Sequence, residues 1–353
     1  SAIQSVGKRR LMALRLDDDA DPGVVRRIES ALETLADPVE RFEWGLLAPE
    51  LTDAEADAFR ADPILSTLSE NPQQEAVSAY ERICEADNAA TRAHNVGVLK
   101  FVQAVAATEE AQKGTPDDIS DDLECVELWK VAYRNLRLSF GSDKFWMRQR
   151  LRAKGYQDQR LDAERIKRIQ SGIFREMVQP VGEVIRHALL DRHGEVAKAY
   201  VDLIRKSGFD GEFLDEMLSE VYKPLADRVE KEVQSLEGTL ESAGKKSASY
   251  TSLFRDFEAR VLPDIDVMLA VGDLPGYAEE HARDVSAAFL RSLAVQSCNE
   301  AENFETAEKA LQVAKKIVDS KALGTKLEGD AGILSGLIEQ HQVIGDLRKC
   351  CFC

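Results

Sequence analysis

Cys350 and Cys353 stand in a C-x-x-C spacing, which lets two thiolates share one tetrahedral zinc ion. They make half of a four-ligand site, and the chain holds no second C-x-x-C to complete it. The expectation is either a zinc module cut short at this point, to be completed in a longer chain, or a free thiol tail. A C-a-a-X prenylation signal fits Cys350-Cys351-Phe352-Cys353 poorly. The other cysteines, Cys84, Cys125 and Cys298, are scattered in helical patterns and are expected to behave as small buried hydrophobes.

Other chemistry-bearing residues do not converge in the sequence. The five histidines, His94, His187, His193, His281 and His341, form no HExxH, and His187 and His193 are six apart, on different faces of a helix. The acidic triplet Asp17-Asp18-Asp19 lacks the glycine and distal glutamate of a calcium loop and reads as a solvated turn. GxxxxGK[ST], GxGxxG and GxSxG are all absent, so no phosphate cradle or nucleophile elbow is indicated. No catalytic residue and no cofactor are expected in this stretch of chain.

The stretch 144–168 is different. Lys144, Arg148, Arg150, Arg152, Lys154, Arg160, Arg165, Lys167 and Arg168 stand there against Asp158, Asp162 and Glu164, with Phe145, Trp146 and Tyr156 interleaved. One reading is a surface for an anionic partner or nucleic acid. The other is a solvated helical face paired to acidic neighbours, with Trp146 in the core. Trp146, Arg148, Arg150, Arg152 and Tyr156 are the candidate partner-binding residues.

Composition sets the frame for these side chains. The formal net charge of -17 repels phosphates over the molecule as a whole, which argues against nucleic acid as the main partner. The hydrophobic share of 44% is enough for a real core. No run approaches the length of a membrane span. The start at Ser1 shows neither Met nor a signal pattern, as a trimmed or processed end would. Six cysteines in 353 residues suit a reducing compartment, and the expected location is the cytoplasm.

The elements that must position these residues read as helices. Apolar residues recur at three- and four-residue spacing, as in Val24, Val25, Ile28, Leu32 and Leu35, and alternating strand patterns are missing. Further helices are expected from Asn71-Pro72, from about Ala89, and over Leu123 to Leu136. Asp162 to about His193 reads as one helix or two, interrupted near Pro180. Others cover Gly194 to Lys206, Leu214 to Leu236, 250–320, and 329–346 after a turn at Gly324. The Gly-, Ser- and Lys-rich stretch from Gly238 to Ser249 is the expected domain boundary or loose hinge. Successive helix pairs of this kind suit an α-solenoid, and Ala93–Leu99 and Ala301–Leu311 have tetratricopeptide-like spacing without a strict period.

Ala31-Leu32-Glu33-Thr34-Leu35-Ala36-Asp37-Pro38-Val39-Glu40-Arg41 resembles the third helix and the end of a J domain. Phe42-Glu43-Trp44, Ala93–Leu99, Trp129, Asp143–Trp146, Asp158–Leu161, Ala199–Val201, Pro224–Ala226 and the Lys349–Cys353 tail follow in an order similar to bacterial DnaJ-like proteins. These carry a long helical region and then a cysteine-rich module. The resemblance implies chaperone association, but the turn that should hold His-Pro-Asp reads Asp19-Ala20-Asp21-Pro22-Gly23. Stimulation of a DnaK-type ATPase is therefore not expected, and no catalytic residue carries over.

The expected fold is all-α: a degenerate J-like helical hairpin followed by an α-solenoid of tetratricopeptide-like helix pairs. The expected divisions are 1–60, 61–240, 250–346 and the start of a zinc-type module at 347–353. The expected function is a protein–protein interaction scaffold or chaperone-associated protein with a protein or peptide partner. The alternatives are an activity lying beyond Cys353, or nucleic-acid binding through 144–168.

Overall fold

A computed structural model describes residues 37–46, 89–111, 120–242, 246–272 and 277–351. The expected helices at 24–36 and from Asn71, the Asp19–Gly23 turn and Cys353 lie outside the described residues, as does the side chain of Cys350. Among the described residues every regular element is a helix, as the spacing of apolar residues predicts. The chain clusters into two compact units, 1–177 and 178–353, which divide inside one long helix.

In the first unit, α1 (Pro38–Gly45) precedes α2 (Ala89–Ala111), α3 (Ser120–Phe140), α4 (Asp143–Gly155) and the start of α5 (Ala163–Leu190). Local chemistry sets these bounds. Asp37 caps α1, accepting from the Val39 amide at 2.7 Å, and Pro38 takes the first helical position, where a missing amide costs nothing. Asp162 caps α5 by accepting from the Arg165 amide at 2.7 Å. The chain turns between α4 and α5 at Gln157, whose φ of 52° is left-handed.

The α2–α3 contact is the close crossing of this unit. A Cβ on Gly97 would sit 2.7 Å from Leu136 Cγ and 2.9 Å from the Leu136 backbone nitrogen, so only glycine fits. Beside it lies an aromatic core of Trp129, Tyr133, Phe140, Phe145 and Trp146, all buried. Phe140 holds its centre, with ring centroids of His94, Phe145, Trp146 and Phe174 all within 6.0 Å. The polar edges of the large rings are satisfied. Trp129 Nε1 donates to Thr108 Oγ1 at 3.0 Å, Trp146 Nε1 to the Phe140 carbonyl at 2.7 Å, and Tyr133 to the Met177 carbonyl at 3.1 Å.

The second unit holds the end of α5, then α6 (Gly194–Lys206), α7 (Gly211–Ser242), α8 (Ser247–Arg260), α9 (Leu262–Val271), α10 (Tyr277–Ala301), α11 (Phe304–Ile317) and α12 (Lys321–Cys351). Its core mixes aliphatic and aromatic residues: Leu218, Leu225, Val229 and Val233 of α7 face inward at helical spacing, and Phe257 stacks on Phe289 at 5.7 Å. Asp264 is buried at 1% exposure and is held from two sides. Arg192 Nε reaches it at 2.7 Å, and Arg228 grips both carboxylate oxygens at 2.8 Å while donating to the Leu190 carbonyl at 3.0 Å. One carboxylate on α9 thus ties the end of α5 to α7.

α10 and α11 form a hairpin through a two-residue turn, Glu302-Asn303. Asn303 caps α11 by accepting from the Thr306 amide, and its Nδ2 donates to Thr251 Oγ1 at 3.0 Å. The small-residue spacing seen in the sequence there places Ala307, Ala310 and Ala314 in the buried face.

Several sequence expectations shift. α5 runs unbroken through Pro180, and α7 through Pro224, because each proline removes only one hydrogen bond from a helix whose face is already buried. The last helix starts at Lys321, so Gly324 lies inside it and not in a turn. The Gly238–Ser249 stretch joins α7 and α8 within the second compact unit, whereas the division between units falls at Met177. Helical pairing is present, but a J-like hairpin and a tetratricopeptide array are not evident in the described residues.

Candidate functional site

α4 is the strongly basic helix of the first unit, with five cations against the single acid Asp143. Phe145, Trp146, Gln149 and Ala153 form its buried face. The candidate partner residues divide between core, inner surface and outer surface. Trp146 is 1% exposed, a core residue that offers no surface to a partner. Tyr156 packs edge-on against Phe42 at 6.2 Å, with the Arg41 guanidinium 5.6 Å above its ring. Arg152 donates to the Gly45 carbonyl at 3.1 Å. Arg148 is half-buried, and Arg150 faces solvent without an ion-pair partner among the described residues.

A second set of cations is committed to the same short segment. Arg160 donates to both oxygens of Asp37, at 2.9 and 3.1 Å, and to Asp158 at 2.8 Å. Arg165 reaches Glu43 at 2.5 Å. The Arg160 guanidinium, with the helix amides Asp37 caps, holds the Asp37 carboxyl below the usual carboxylate range. Asp158 is lowered by the same guanidinium. Asp37, Glu43, Arg160 and Arg165 line an open cleft of about 460 Å³ between α1 and the α4–α5 corner, where Glu40, Asp162 and Arg168 also stand. Acids and bases alternate around it and most are paired, so the cleft is a clasp for α1. Among the described residues no three His, Cys, Asp or Glu side chains converge as a metal site.

The outward face of α4 has a different character. Met147 is 57% exposed and Leu151, four residues on, is 63% exposed. Lys144, Arg150 and Lys154 flank them, all exposed and without ion-pair partners among the described residues. Leu138, in the last turn of α3, is 61% exposed. Met147 and Leu151 make a small apolar stripe framed by cations that have no ion-pair partner among the described residues.

No protein family, curated protein or solved structure matches this chain. The functional reading therefore rests on its own residues.

Sequence reasoning missed Met147 and Leu151. Their signal was present: α4 buries one stripe at positions 145, 146, 149 and 153, so 147 and 151 fall on the opposite side. The aromatic residues drew attention first because Trp and Tyr are the usual interface anchors.

Proposed function

We propose that this protein is a non-catalytic, all-helical interaction scaffold that binds a protein or peptide partner on the outward face of α4. The observation that carries this reading is the Met147–Leu151 pair, exposed one helical turn apart between Lys144, Arg150 and Lys154. Large aliphatic side chains framed by unpaired cations suit an acidic helix with an apolar stripe. The apolar pair supplies desolvation energy, and the cations set orientation and favour acidic over basic partners. Association with a chaperone assembly is the setting that the DnaJ-like resemblance implies for such a scaffold.

Nucleic acid is the weaker reading of the same stretch. Arg152, Arg160 and Arg165 are engaged with α1, which removes them from any phosphate-binding row.

The test is fluorescence anisotropy of the whole chain with a designed peptide helix that carries leucines at i and i+4 flanked by glutamates. Binding should weaken at least about tenfold in the Met147→Glu/Leu151→Glu variant and fall as salt rises. A wild-type chain that ignores this peptide, or a variant that binds it equally well, would overturn the reading.

A further inference from the structure

α12 is held to the second unit along only part of its length. Leu327 and Leu334 are buried, and Arg291 pairs with Asp330 at 2.5 Å. Asp284 accepts from the Asp319 and Ser320 amides at 3.0 Å and so anchors the start. Farther along, His341 lies against Phe304, with ring centroids 5.2 Å apart. Leu327, Leu334 and His341 therefore mark the inward side, at seven-residue spacing.

Roughly a quarter-turn round the helix, at about 100° per residue, runs a second stripe of exposed apolar residues. Ile333 is 66% exposed, Leu337 37% and Ile344 48%, with Val343 beside them at 58%. Gln340 stands between Leu337 and Ile344, and the sequence continues the register with Leu347. The spacing 333, 337, 340, 344, 347 is the alternating four-three step of a coiled-coil seam. The stripe carries no charge at any of these five positions, in a chain whose net charge is -17.

The glycines of α12 add a separate observation. A Cβ on Gly329, Gly332 or Gly336 would meet nothing within 4 Å, so none of them is required by packing inside the protein. Each weakens the helix relative to alanine.

We propose that α12 is a self-association element, pairing with α12 of a second copy along the Ile333–Leu337–Gln340–Ile344 stripe. Three features select a second copy. An uncharged seam lets two strongly acidic molecules approach without burying like charges. A second copy brings an identical Gln340, so two amides can satisfy one another within an otherwise apolar seam, as polar seam residues do in coiled coils. Two such helices side by side bury on the order of 1,000 Å² in total, the lower bound for a specific but transient interface. An interface of this size belongs to the weak, transient end of protein–protein contacts. The dimer would make a scaffold with one docking helix per copy bivalent, but it does not depend on where a partner docks.

The experiment is sedimentation velocity of the whole chain from about 1 to 200 μM, spanning the micromolar range. The wild-type chain should shift from monomer to dimer over this range. Leu337→Glu, Leu337→Lys and Ile344→Lys should each remain monomeric while keeping the wild-type circular dichroism and the melting temperature that the wild-type chain shows when dilute and monomeric. Mixing Leu337→Glu with Leu337→Lys should restore a dimer if the helices run parallel, and mixing it with Ile344→Lys if they run antiparallel. A wild-type chain that stays monomeric at 200 μM overturns the proposal. So does a dimer that survives all three substitutions, or one that no mixture restores.

Discussion

Arg160 bridges Asp158, two residues before it, and Asp37, which lies 123 residues earlier in the chain. A single guanidinium thus holds the α4–α5 corner closed and fastens α1 upon it. Asp37 in turn both caps α1 and receives Arg160, so helix start and docking share one carboxylate.

This arrangement predicts an acid-labile α1. The Asp37 carboxyl is lowered from its ordinary value of 3.8, so its contribution is fully present above that value and is lost as pH falls through the lowered folded value. The amide protection factors of residues 39–45 should fall at acidic pH before those of α7. In Arg160→Gln that fall should begin at higher pH. Equal pH profiles in the two proteins would refute the clasp.

Trp146→Ala should behave as a core deletion. The indole is 1% exposed and its Nε1 is bonded to the Phe140 carbonyl, so the loss should be about 3–5 kcal/mol in denaturant unfolding. Arg150→Ala, on the same helix but exposed, should change stability by less than about 0.5 kcal/mol. Similar small effects from both would place Trp146 at the surface.

Gly97→Ala should destabilise by about 1–3 kcal/mol, because the added methyl meets Leu136 backbone and not only a movable side chain. Gly332→Ala should instead stabilise by about 0.5–1 kcal/mol, since its Cβ enters open space within a helix. Urea titration of the two variants gives opposite signs if both placements are right.

Asp264→Ala should cost about 3 kcal/mol, as it leaves Arg192 and Arg228 facing each other without the buried carboxylate between them. Asp202→Ala removes an exposed pair with Lys206 and should cost less than about 1 kcal/mol. A melting-temperature comparison of the two separates the buried clamp from the surface pair.

Much of this was open to reading from the chain alone. Apolar spacing at three and four residues determines a helical protein, because that period puts a continuous stripe on one side of a helix and on no side of a strand. Proline and asparagine at helix starts, as at Asp37-Pro38 and Asn303, mark their boundaries through local hydrogen bonding. The basic character of 144–168 was equally visible. What the tertiary structure alone decided is which charges remain free and which apolar residues remain uncovered. Arg160 and Arg150 are alike in sequence, yet one is spent on a carboxylate 123 residues away and the other faces water. Ile333 and Leu334 are adjacent in the chain, but one is 66% exposed and the other 6%. Helical spacing tells which residues share a face, as with Met147 and Leu151, but partners distant in sequence decide which face is covered.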